Sequence, residues 1–142
     1  MKMEIVRLQP GDDALVMQLA EGVFDEPVRS DRLAAYLRQS GHFMIVALAD
    51  GLVVGQCAAM IHRHPDKASE LYIDEVGVSP AFQRQGIARK MLDAMFAIGT
   101  EHGCEEAWVG TEPDNLAARA LYESRKEAHG EAETFVMYVY KL

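Results

Sequence analysis

Cysteine, tryptophan and proline are scarce in this chain, and positive charge is the minority sign. Two cysteines in 142 residues, Cys57 and Cys104, sit in apolar surroundings with no paired spacing. That excludes a disulfide-stapled scaffold and a cysteine metal centre, and it predicts two buried thiols in a reducing compartment. No apolar run is long enough to cross a bilayer, and Met1-Lys2-Met3-Glu4 lacks the apolar core of a secretory leader. The expected location is cytoplasmic, with no membrane partner. Lysine and arginine number 14 against 22 aspartates and glutamates, a formal net charge of -8. Such a balance argues against nucleic acid and for a cationic substrate or partner. What the chain does have is apolar content, 49% of its residues. That rules against disorder and predicts one domain over 1–142 with a sizeable core.

Periodicity gives a coarse order of elements. Residues 3–8 alternate as a first strand. Leu15, Val16, Leu19 and Val23 recur at helical spacing and predict a helix over 12–24. Ser30 is placed to cap a helix to Gln39, with Leu33, Tyr36 and Leu37 on one face. Residues 43–49 and 52–61 read as strands joined by Asp50-Gly51, a pair suited to a type I′ turn. A fourth strand covers 71–78, a helix 87–102, a short strand 106–110 and a further helix about 115–124. Gly99 weakens the end of the long helix by about 1 kcal/mol and predicts a frayed last turn. Phe135 to Tyr140 reads as a final strand, and 125–133 leaves room for one more. The expected fold is a mixed, mostly antiparallel α/β (α+β) sheet of six or seven strands flanked by four helices.

The most informative stretch is Val76-Gly77-Val78, ending a strand, then Gln83-Arg84-Gln85-Gly86-Ile87-Ala88, opening a helix. A glycine turn at a helix N-terminus gathers unpaired N–H groups and the positive end of the helix dipole, which suits phosphate. The loop has neither the Gly-Lys-Ser/Thr of a P-loop nor the three glycines of a dinucleotide fingerprint. Taken alone it is equally a plain helix start. Further on, Asn115, Ala118 and Tyr122 share one face of a helix, small and polar with a phenol at its far end.

With these two motifs the chain resembles the GCN5-related N-acetyltransferase superfamily along its whole length. The resemblance implies that amides of residues 83–88 hold the pyrophosphate of acetyl-coenzyme A. It implies that Val76, Gly77 and Val78 pair with the pantetheine arm. Asn115 and Ala118 would line the coenzyme, and Tyr122 would protonate its thiolate. Residue by residue, Asn115 is equally a plain helix cap, and the lesser alternative for Tyr122 is a core tyrosine with its hydroxyl at the surface. One position departs from the family, which usually has a glycine where Lys126 stands.

An amine acceptor needs a base, and Asp74 and Glu75 are the candidates. In a regular strand they point to opposite faces; a bulge would let both reach one cleft. The resemblance to branches that acetylate polyamines and aminoglycosides favours Asp74 as base, whereas type I aminoglycoside 3-N-acetyltransferases, which the chain also resembles, have an aspartate where Glu75 stands. Glu75 is then a cation-binding or alternative base residue. Asp25, Glu26 and Asp31 are either an acidic acceptor cleft or a solvated loop. His62 and His64 read as surface residues, no Cys/His spacing suggests a metal, and Met44, Met60, Met91 and Met95 read as core. The resulting expectation is transfer of acetyl from acetyl-coenzyme A to a small polycationic amine, by a homodimer. The alternatives are a peptide acceptor or a non-catalytic coenzyme-binding module.

Overall fold

The computed structural model describes residues 1–125 and 131–142. They form two compact units, Met1–Val109 and Gly110–Leu142.

The first unit is built on a five-stranded sheet: β1 (Met3–Arg7), β2 (His42–Ala49), β3 (Leu52–His62), β4 (Glu70–Val78) and β5 (Glu106–Val109), paired in that order. The first four strands are antiparallel; β4 and β5 are parallel. The parallel pair follows from the connection, since α2 (Ile87–Glu101) crosses over between β4 and β5. The β2–β3 turn has positive φ at both Asp50 (48°) and Gly51 (86°), as the dipeptide predicts.

Helices cover both faces of the sheet. On one side α1 (Ser30–Arg38) contributes Leu33 and Leu37 to a cluster with Val16, Val23, Met44, Val46 and Val53. On the other, α2 buries Ile87, Met91, Leu92, Met95 and Ile98. Two glycines let α2 come close. A Cβ on Gly55 would lie 3.1 Å from Met91 Cε, and one on Gly99 3.0 Å from Leu71 Cδ2. Gly99 is therefore a packing residue inside α2; the helix continues to Glu101, and the expected fraying does not occur.

Several sequence expectations change. The helix expected over 12–24 is a 3₁₀ turn, Asp12–Val16, after which the chain straightens and pairs with Val53 of β3. Ala20 N–H donates to Val53 O at 2.9 Å, and Val53 N–H donates to Gln18 O at 2.9 Å. Pairing with β3 outcompetes helix propensity there, and Gly22 at φ 81° favours the break. Met60 is 36% exposed, not core. Cys57 is buried and Cys104 only half-buried, both as free thiols.

The second unit holds α3 (Leu116–Glu123). The expected final strand is absent: residues 131–142 carry no ladder, and Phe135, Val136, Met137, Tyr138, Val139 and Tyr140 are all at least 64% exposed. A strand needs a hydrogen-bonding neighbour, and this segment has none among the described residues. Among those residues the sheet therefore has five strands, not six or seven, and the α-helices number three, not four. The class is the expected one, mixed α/β. Lys126, and the extra strand allowed for over 125–133, fall wholly or partly outside the described residues.

Gly77 carries a constraint of its own. A Cβ there would lie 2.5 Å from the carbonyl oxygen of Val23. Gly77→Ala should destabilise the protein by about 1–3 kcal/mol, because backbone must move to make room. An unchanged urea midpoint would show that this close approach is not maintained in solution.

Candidate active site

The regularity of strand β4 fails in two places. The first is a bulge. Ala58 pairs with Glu75 but Ala59 pairs with Ile73, so Asp74 is the extra residue. The bulge cancels the alternation that would send Asp74 and Glu75 to opposite faces. Tyr36 closes over the same point. Its hydroxyl lies 2.9 Å from Phe43 O and 3.1 Å from Ala59 O, tying α1 to β2 and to the bulged step of β3.

Glu75 lines a cleft of about 350 Å³ together with Phe24, Asp25, Glu26 and Tyr36. Arg29 and Arg32 also reach the rim. Arg29 is engaged by Asp31 at 2.8 Å, so the predicted acidic trio divides: Asp25 and Glu26 face the cleft, and Asp31 neutralises an arginine. Gln56 is wholly buried beneath, donating to Val23 O at 3.3 Å and hydrogen-bonding Glu75. Burial raises the Glu75 carboxyl above its ordinary range, and the charges of Asp25 and Asp74 raise it further. Asp74 is exposed, yet desolvation raises its pKa too, opposed by its own backbone amide and by His42. The Cys57 thiol is pushed up to about 12 by burial and then by Asp74, so it stays protonated and inert. Tyr36, His42 and Gln56 escaped sequence reasoning. The first reads as a core helix position, and the other two as unremarkable strand residues.

The second irregularity is the end of a ladder. β5 pairs with β4 only from Glu70 to Ile73. From Asp74 to Val78, β4 keeps β3 on one side and has no strand partner on the other among the described residues. Val76 and Val78 thus present backbone groups along an open edge, while the face of Gly77 is filled by Val23.

That edge runs through Pro80–Phe82 into the predicted loop. Gln83 Nε2 donates to Val78 O at 3.2 Å. Arg84 has φ 63° and Gly86 φ 79°, and two left-handed residues spaced this way curl the backbone into a nest of N–H groups. The first helical bond is Lys90 N–H to Gly86 O at 3.1 Å. The amides of Ile87 and Ala88 thus precede the helix's own ladder at this turn. Arg84 and Gln85 are exposed and Ala88 is half-buried. Ile87 is buried, so it can offer a ligand only its amide. This arrangement suits a diphosphate with an extended, amide-bearing arm.

In the second unit Asn115 is the N-cap of α3, its Oδ1 accepting from Ala118 N–H at 3.1 Å. Tyr122 is half-buried on the same helix.

The fold is that of a mixed α/β protein with one open strand edge, and comparison makes the class specific. The profile of the acetyltransferase (GNAT) family matches residues 13–126. An aminoglycoside N(6')-acetyltransferase type 1 of Salmonella typhimurium is 30% identical over 125 residues, 83% of this chain and 76% of its own length. The L-2,4-diaminobutyric acid acetyltransferase of Streptomyces avermitilis is 29% identical over 92 residues, 64% of this chain and 50% of its own. Among solved structures, the aminoglycoside acetyltransferase meta-AAC0020 from an uncultured soil metagenomic sample superposes with a TM-score of 0.81. It is 26% identical and covers 98% of this chain and 97% of its own. The chain belongs to the GNAT family and is an acetyl-coenzyme A-dependent N-acetyltransferase. The aminoglycoside relative from Salmonella is a 6'-N enzyme, whereas the sequence motifs suggested the 3-N type.

The raised Glu75 pKa has a measurable sign. A carboxyl whose pKa is higher in the folded state stabilises the fold below its unfolded pKa, and that contribution is lost as pH rises through the folded value. Glu75→Gln should therefore match the parent near pH 4, about the ordinary carboxylate value, and exceed it in stability at pH 7. Denaturation at the two pH values tests this; a stability difference independent of pH would contradict it.

Proposed function

We propose that the protein acetylates an amino group of an aminoglycoside-like polycation, and that its two units act as one acetyltransferase domain. The observation that carries the proposal is the β4 bulge, which brings Glu75 to a cleft shared with Asp25 and Glu26. Those carboxylates, on a chain of net charge -8, suit an acceptor with several ammonium groups. The aminoglycoside activity of the relatives supports the same acceptor class.

In this reading the amides of 83–88 hold the diphosphate, and the free β4 edge pairs with the pantetheine arm. Asn115 and Ala118 contribute to the coenzyme wall. The acceptor nitrogen attacks the thioester carbonyl, and the carbon–sulfur bond breaks. Glu75 takes the proton from nitrogen, because it lines the cleft and its raised pKa makes it a stronger base than an ordinary carboxylate. Asp74, which the sequence favoured as base, holds the substrate's positive charge at the rim. Tyr122 returns a proton to the leaving thiolate, the role that the family resemblance implies.

Release of free thiol across a panel of aminoglycosides, polyamines and peptides tests the acceptor. Turnover confined to peptides would remove the polycation reading. Glu75→Gln should lower kcat by about 10²–10⁴ with acetyl-coenzyme A affinity unchanged by calorimetry, and Asp74→Asn should mainly raise KM for the amine. The reverse pattern would return the base to Asp74. Tyr122→Phe should slow transfer more than it weakens coenzyme binding; equal loss of both would make it a packing residue.

We also infer a homodimer. Its support is the exposed run Phe135 to Tyr140, which a second copy would cover. Sedimentation should give a dimer that Val136→Lys with Tyr138→Lys dissociates; a monomeric parent protein would refute it.

A further inference from the structure

The β3–β4 hairpin brings together residues that the acetyl-transfer chemistry does not use. β3 ends at His62, and His64 follows two residues on, the spacing that puts both side chains on one face of an extended chain. Glu70 opens β4 and is the register partner of His62. Ligand atoms of His62, His64 and Glu70 all lie within 4.8 Å of one another. His64 Nε2 is 2.5 Å from Glu70 Oε1, and the His62 and His64 rings are 4.2 Å apart at their centroids. Glu106 is the register partner of Glu70 across the parallel ladder. Lys67 Nζ lies 4.0 Å from Glu70 on a side chain that is 59% exposed and free to swing into water.

We propose that His62, His64 and Glu70 bind a divalent transition-metal cation of the zinc class. Two imidazole nitrogens and a carboxylate oxygen are a donor set for zinc, cobalt or nickel; magnesium and calcium take oxygen ligands. At metal–ligand distances of about 2.0–2.2 Å the donors must close in by rotating a side chain. His62 is exposed and can do so, while His64 and Glu70 are held on the hairpin, their side chains 15% and 18% exposed. The fourth position is left to water. The site lies four residues from Asp74 along β4, roughly 13 Å at strand rise, so the cation clamps the hairpin and takes no part in acetyl transfer.

Trp108, the chain's single tryptophan, reports on the site: its ring centroid is 6.5 Å from that of His62. Tag-free protein should bind one equivalent of Zn(II) by calorimetry. Co(II) or Ni(II) should quench Trp108 fluorescence with the same stoichiometry. His62→Gln and His64→Gln should each weaken binding by about tenfold or more, whereas His102→Gln, outside the cluster, should not. His62 is a surface residue, so its variant should stay folded by circular dichroism even if His64→Gln does not. The absence of saturable binding at submillimolar Zn(II), or binding unaffected by both His62→Gln and His64→Gln, would overturn the proposal and leave His64–Glu70 as an ion pair alone.

Discussion

Strand β4 cannot satisfy both its edges along its whole length, and the rest of the molecule is arranged around that. For four residues it lies between β3 and β5; from Asp74 onward it has β3 alone among the described residues. An unpaired edge is ordinarily a hazard, because its amides and carbonyls recruit any passing strand. Here the exposed stretch is short and runs at once into the glycine turn and α2. An edge that must be hydrogen-bonded and a turn that must be neutralised are complementary to a ligand with an amide-bearing arm and a diphosphate head. In the proposed reading the coenzyme is matched by backbone, and few large side chains of the loop are committed to packing.

The bulge at Asp74 brings a carboxylate-lined cleft to the same strand. It sits one residue beyond the last β4–β5 pair, so the change of register and the loss of a partner coincide. Tyr36 is what keeps that coincidence in place, since its hydroxyl reaches carbonyls of both β2 and β3 at the bulged step. The cost is electrostatic. Burial and the charges of Asp25 and Asp74 raise the proton affinity of Glu75 against Gln56, and burial raises that of Asp74 against its own backbone amide and the field of His42. A carboxyl raised in this way weakens the fold at neutral pH.

Legibility in the sequence followed the range of the interaction. The glycine turn could be read because Gly86 and the start of α2 are local: positive φ and a helix N-terminus are written within six residues. The same holds for Asp50-Gly51. The bulge could be named only as a possibility, because it depends on how Ala58 and Ala59 align with residues fifteen or so away. The helix expected over 12–24 failed because Val16 and Val23 do point inward, as the period required, but on a chain that pairs with Val53. Burial pattern alone cannot distinguish those two geometries. Phe135 to Tyr140 failed differently: its composition is that of a strand, yet strand formation is decided by a neighbour that composition does not reveal.

His62, His64 and Glu70 belong to the same lesson. Metal ligands are usually sought as fixed intervals along a chain, and no such interval is present here. A hairpin supplies a different interval: two positions on one strand at a spacing of two, and one directly across the ladder. The same sheet geometry makes the acceptor cleft and this cluster neighbours on β4 without making them one site. Between them lie Leu71 and Ile73, buried against the α2 side, and Tyr72, stacked with Trp108 at 4.4 Å. That apolar and aromatic spacing separates two groups of charges that would otherwise interact. The hairpin can therefore gain or lose a cation while the field at Glu75 is still set by Asp25, Asp74 and Gln56.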